Sequence, residues 1–259
     1  MVNIFGLFKK KEVRQPQEEV SWEDIKDILA PYKRTVWFPK VEDQKSDEMA
    51  SKFSGIPALA KGESWPCCSH CDEPMQLFLQ LNSKDLPESA GKPFGDGFLQ
   101  VFYCTNWDQE CEIECEAYFP FSKSTLVRVV NYQPESVLSL DVSPVKDAFP
   151  EKSITGWEEQ SDYPNWEELE ELGLTLSDSQ YEFWSEQEYP RNRDKLLGWP
   201  HWVQGVEYPD CPDCGNSMKF IFQIDSEDNI PYMFGDVGCA HITQCAEHKD
   251  KLAIAWACC

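Results

Sequence analysis

CPDCGNSMKFIFQID at residues 211–225 reads as a second version of CSHCDEPMQLFLQLN at residues 68–82. The two stretches lie 143 positions apart. The same offset runs beyond them. It pairs Gly55, Pro57, Gly62, Pro66, Cys68, Cys71, Met75, Gln80, Ser83 and Asp85 with Gly198, Pro200, Gly205, Pro209, Cys211, Cys214, Met218, Gln223, Ser226 and Asp228. That is ten identities in thirty-one positions, where average composition gives roughly two. The register then slips by three, so that Phe94-Gly95-Asp96 matches Phe234-Gly235-Asp236, and Cys104 pairs with Cys245 after one more insertion. The pattern reads as an internal duplication.

Each half is expected to hold a Gly/Pro-rich lead-in, a Cys-x2-Cys turn and an alternating strand. Met75, Leu77, Leu79 and Leu81 fall on one face of that strand, and Met218, Phe220, Phe222 and Ile224 on the same face of its counterpart. Phe98–Tyr103 is a further strand, and residues 126–130, 137–142 and 252–258 read as extended. The FGD segments read as tight turns around Gly95 and Gly235. Ser21 opens a short helix through a capping-box pattern with Asp24, and Pro31 stops it. Residues 35–39 read as extended, and the polar run 42–53 as helical.

Between the halves, Trp157 to Pro190 carries eleven acids and no Lys or Arg. Asn165 stands at an N-cap with acids in the first turn after it, and residues 177–188 suit a second helix with Tyr181, Phe183 and Trp184. Aromatics at that density pack, so the segment is expected to be a packed helical insert with an acidic outer face. Its alternative role is an acidic-aromatic grip on a basic chain. The expected class is α+β and strand-rich, with pseudo-symmetric duplicated halves: a leader and helix at 1–34, a first half at 35–150, the acidic insert at 151–194 and a second half at 195–259.

The cysteine spacing points to metal. Zinc takes four thiolate or imidazole donors, and a Cys-x2-Cys turn supplies two of them. In the second half Cys211 and Cys214 are followed by Cys245 and His248, a Cys3His set. The first half offers Cys68, Cys71 and Cys104, with Cys111 preferred and Cys115 in reserve as the fourth. Two structural zinc ions are expected. Cys67, His70, Cys239, Cys258 and Cys259 lack paired spacing, and His241 suits a hydrogen-bonded structural role. A redox role for the Cys-x2-Cys pairs is the reading to fall back on if no metal binds.

The net charge of −23 and the pI near 4.4 repel phosphate, so nucleic-acid binding is disfavoured and a basic polypeptide partner is favoured. No run of about 18 apolar residues occurs. The start, MVNIFGLFKKK, places its charges after a short apolar stretch, the reverse of an export signal; a loose, solvated leader in a reducing cytoplasm is expected. The phosphate loop, nucleophile elbow, zinc-protease helix and dinucleotide fingerprint are all missing from the sequence.

SKFSGIPAL at 51–59, SWPCCSHC at 64–71, PMQLFLQLN at 74–82, GDGFLQVFYC at 95–104 and PYMFGDVGCAHITQC at 231–245 resemble the YwqG-like family (DUF1963). The resemblance covers about residues 35–259. It implies an α+β fold with pseudo-repeated halves and an unsettled activity. Many members lack the cysteines, so the metal sites rest on spacing. The chain is also distantly similar to the programmed cell death protein 2 group, through Gln80, Gly95-Asp96, Gln223 and Gly235-Asp236. That likeness implies a chaperone for a ribosomal-type basic chain. Metal-dependent hydrolysis and toxin neutralisation of the immunity type are the competing functional classes.

Overall fold

A computed structural model describes residues 20–259 except 134, 135, 139 and 141. The expected leader, with its apolar start and Lys9–Lys11, lies outside the described residues, as does part of the extended run expected at 137–142. Ten strands form one antiparallel sheet: β1 (Arg34–Glu42), β2 (Lys52–Phe53), β3 (Gln76–Asn82), β4 (Phe98–Tyr103), β5 (Thr125–Val130), β6 (Lys152–Asp162), β7 (Lys195–Leu197), β8 (Lys219–Asp225), β9 (Cys239–Gln244) and β10 (Leu252–Ala257). The spatial order is β10-β9-β8-β7-β1-β6-β2-β3-β4-β5.

That order has a centre and two arms. β1 and β6 pair along their whole length. β2 to β5 extend from β6 and β7 to β10 from β1. The sheet curls until its end strands β5 and β10 lie against each other, and the Trp256 N–H bonds to the Tyr118 carbonyl at 3.1 Å. The sheet is nearly closed. Its arms share one apolar core, where Phe53 meets Phe222 at 6.2 Å between ring centroids and Phe78 stacks on Tyr103 at 4.9 Å.

The helices are few and short: α1 (Trp22–Leu29), α2 (Cys111–Glu114), α3 (Trp166–Glu171) and α4 (Asp178–Ser185). Ser21 and Asp24 form the expected capping box of α1, and the Asn165 side chain accepts the Glu168 N–H at the start of α3. Ser177 and Gln180 make a second capping box at α4. α1, α3 and α4 share an aromatic cluster in which Trp184 stacks between Trp22 and Tyr189. None of the described helices is long and apolar enough to cross a membrane.

Three expectations need correction. Residues 42–53 form bends, a turn and the short strand β2 rather than a helix, because the backbone there is committed to Gln80 and Asn82 side chains. Segment 151–194 is not wholly helical: its first part is β6, the partner of β1 at the centre of the sheet. Of the acids in that strand, Glu158 and Glu159 are exposed, whereas Asp162 is buried.

The third correction concerns strand faces. β3 is buried on both sides, and a bulge between Leu77 and Leu79 flips its alternation. Met75 and Leu77 therefore pack beside the first cysteine group, whereas Leu79 and Leu81 enter the main core. β8 carries the same irregularity between Phe220 and Phe222. Met218 then faces the second cysteine group, and Phe222 and Ile224 the core.

Candidate metal centres

Each Cys-x2-Cys pair sits on a tight turn leading into the long strand of its arm. The Cys68 N–H bonds the Glu73 carbonyl at 2.9 Å and the Asp72 N–H bonds the Cys68 carbonyl at 2.9 Å. In the other arm Cys211 N–H to Asn216 O is 2.9 Å and Gly215 N–H to Cys211 O is 2.8 Å. Both turns need a left-handed residue, Asp72 at φ 59° and Gly215 at φ 69°; Asp and Gly are among the residues that tolerate it. Met75 N–H to Pro66 O and Met218 N–H to Pro209 O then hand the chain to β3 and β8.

The third donors, Cys104 and Cys245, follow directly after β4 and β9. Antiparallel pairing brings the end of β4 to the start of β3, and the end of β9 to the start of β8. Cys71 Sγ and Cys104 Sγ are 3.8 Å apart; Cys214 Sγ and Cys245 Sγ are 3.7 Å apart. Cys111, at the start of α2, joins the first group, and His248 joins the second through Nδ1, 3.6 Å from Cys211 Sγ and 3.8 Å from Cys245 Sγ.

Within each group, Cys68, Cys71, Cys104 and Cys111 or Cys211, Cys214, Cys245 and His248, all four donor atoms lie within 4.8 Å of one another. A tetrahedron with metal–sulfur bonds of ~2.3 Å has edges of ~3.8 Å. The sulfur–sulfur separations fit that edge and are far outside a disulfide bond of ~2.05 Å. Soft thiolate donors with one imidazole favour zinc over hard cations. The two groups could hold metal ions, and their chemistry fits zinc.

Backbone dipoles at the turns favour thiolate. The His248 N–H reaches Cys245 Sγ at 3.3 Å and, with the Glu247 N–H, draws that thiol down to about 6. Burial resists ionisation of Cys71, but the Glu73 N–H, the Asn106 side chain and the neighbouring thiols outweigh it and lower its pKa. Burial pushes Cys111 up to about 12. The Asn216 N–H favours the Cys214 thiolate, but burial and the Cys245 and Cys211 thiols together outweigh it and raise its pKa to about 11. Each group thus mixes thiols that ionise readily with thiols that a cation must deprotonate.

The remaining cysteines stand apart from both groups. Cys115 is half-buried one turn beyond Cys111, Cys67 and Cys259 are exposed, and Cys239 is buried with Sγ 3.6 Å from the Ile224 carbonyl. His241 is fully enclosed; its Nε2 lies 3.0 Å from the His201 carbonyl, and burial lowers its pKa to about 3.

A network beneath the turns was not anticipated. Gln80 accepts the Ala58 N–H and donates to the Glu48 and Ala50 carbonyls. Gln223 accepts the His201 N–H and donates to the Arg191 and Arg193 carbonyls. Every partner is again 143 residues on. So are two buried lysines. Lys52 reaches Glu151 at 3.4 Å and Lys195 reaches Asp162 at 3.3 Å. Both lysine pKa values are lowered by burial, against the pull of the paired carboxylate. Gly55 and Gly198 have φ of 79° and 77°, and a Cβ at either would fall within 2.1 Å of Glu151 Oε2 or 2.5 Å of Asp162 Oδ2. The signal was present: Lys52 and Lys195 obey the offset, just before the conspicuous run of identities.

Among known proteins, residues 51–250 match the family model DUF1963, described as a domain of unknown function. A stretch of 39 residues is 44% identical to the uncharacterized protein YpfL of Salmonella typhimurium. That stretch is 15% of this chain and 9% of YpfL.

Proposed function

This chain belongs to the DUF1963 family, and we propose that it is a non-catalytic protein-binding module of the cytoplasm, built from two copies of one unit and braced by two structural zinc ions. Cys68, Cys71, Cys104 and Cys111 hold one zinc; Cys211, Cys214, Cys245 and His248 hold the other. The observation that carries the zinc assignment is the convergence of four donors at the same place in each arm. Four protein donors fill a tetrahedron and leave no position for a reacting water, which is the mark of a structural site. Zinc bound there ties the chain after β4 or β9 to the turn before β3 or β8.

Duplication is supported by the shared 143-residue offset of the turns, glutamines, lysines and glycines, and by matching arms on either side of β1 and β6. The choice of partner rests on charge. At −23 the protein repels nucleic acid, anionic lipid and its own copies alike, and attracts basic polypeptide. A chaperone-like hold on a ribosomal-type chain fits this reading, and toxin neutralisation is its nearest rival. Affinity capture with the zinc-loaded chain at low salt, with partners identified by mass spectrometry, tests it. Recovered partners of high pI are expected; recovery of nothing above an acidic control protein overturns the reading.

A further inference from the structure

The two centres differ in the loop that closes them. After Cys245, whose N–H bonds the Lys251 carbonyl, residues 246–250 suffice. After Cys104, whose N–H bonds the Ser124 carbonyl, the chain makes the much longer excursion 105–123. That excursion carries large apolar side chains in solvent: Trp107 is 64% exposed, Ile113 66%, Phe119 51% and Phe121 43%. Its exposed charged side chains are Asp108, Glu110, Glu114 and Glu116 against Lys123 alone.

The loop is held rather than loose. Cys111 belongs to the first donor group. The Glu112 carboxylate accepts hydrogen bonds from Tyr103 and Tyr232, and Trp107 stacks on Tyr232 at 6.2 Å. Tyr118 packs on Phe119 at 4.8 Å and on Trp256 at 5.8 Å. Phe121 is kept at φ 63°, a left-handed conformation unfavourable for a bulky residue, and is still 43% exposed. Phe119 and Phe121 line a groove of ≈ 370 Å³, together with Glu114, Glu116, His70 and Lys123. Two phenylalanines beside two glutamates, with Lys123 the one lysine in the lining, form a recognition surface held by the contacts above.

The charge selects the occupant. A second copy would set −23 against −23. We propose that loop 105–123 is the docking surface for a basic peptide segment, with a leucine or phenylalanine in the Phe119–Phe121 groove and flanking lysines or arginines on Glu114 and Glu116. The proposal rests on the partner class given above and adds where that partner docks.

The test uses the full zinc-loaded chain and a fluorescein-labelled peptide of lysines interspersed with leucine and phenylalanine, beside an all-lysine peptide of equal length. Phe119→Ser/Phe121→Ser is expected to weaken binding of the mixed peptide by about tenfold or more, and Leu172→Ser, an exposed apolar change just after α3, to leave it unaltered. Glu114→Lys/Glu116→Lys probes the same rim without touching an apolar residue and is expected to weaken binding too. Unchanged affinity in the folded loop variants overturns the docking site while leaving a basic partner in place. Equal affinity for the all-lysine peptide overturns it as well, since charge alone would then suffice. Failure of the unaltered chain to bind either peptide at low salt overturns the partner class itself, and the docking site with it.

Discussion

Lys195 and Asp162 are the most deeply buried opposite charges in the described residues, and each is fully enclosed. Removing one partner strands the other in a low dielectric, which costs about 3–5 kcal/mol. Lys195→Met is therefore expected to lower stability by that order, and Lys195→Met with Asp162→Leu to recover most of it; urea denaturation of the three proteins checks this. His241 offers a pH test. Its counterpart across the arms is Gln100, since Gln80 pairs with Gln100 and Gln223 with His241. Lys195 adds to the burial that lowers its pKa, and the hydrogen bond to the His201 carbonyl opposes it. The unfolded imidazole takes up its proton near 6.5, the folded one only near 3. The unfolded state thus binds more protons between these values, so stability falls as pH drops through that window. Burial raises the carboxyl pKa of Asp194 and brings that of Asp225 to about 6, which acts in the opposite sense. The difference between wild type and His241→Gln isolates the imidazole: the variant is expected to lose less stability from neutral to acid pH. Parallel acid limbs would contradict this.

At the scale of elements, each centre joins the two ends of a hairpin opening, β3 to β4 and β8 to β9. Withdrawing metal with a chelator is expected to expose loop 105–123 to protease first, while the hairpins β3–β4 and β8–β9 survive on their apolar faces. Cleavage starting inside β3 or β8 would contradict that order. Elements also show what the sequence could and could not reveal. The donor sets were legible because a Cys-x2-Cys turn and a later pair leave few alternatives, although spacing alone left Cys115 open beside Cys111; α2, which brings Cys111 inward, decides which thiol meets the group. The β3 and β8 strands were legible from their alternation. Their bulges were not, because each falls where three apolar residues stand in a row, Leu77-Phe78-Leu79 and Phe220-Ile221-Phe222, and an extra residue leaves no trace there. The misread helix at 42–53 has a similar cause. Its backbone is satisfied by Gln80 and Asn82 from another strand, a long-range bond that local propensity cannot register.

For the whole molecule, the arms curl until β5 meets β10, and a single core serves both. The −23 charge covers this core with acid. Screening shortens from ~10 Å at 0.1 M salt to ~3 Å at 1 M, so peptide binding is expected to weaken steeply with salt yet retain a residue from the Phe119–Phe121 groove. Salt-independent binding would remove the acidic rim from the interaction. The two centres are the feature on which the other readings depend, because the longer closing loop is organised around Cys111. The decisive measurement is metal stoichiometry of the native chain by mass spectrometry, repeated on single substitutions. Two zinc ions per chain are predicted, falling to one in Cys111→Ala and in His248→Ala and staying at two in Cys115→Ala. A chain without metal, or one whose zinc content ignores Cys111 and His248, would contradict the paired-centre architecture.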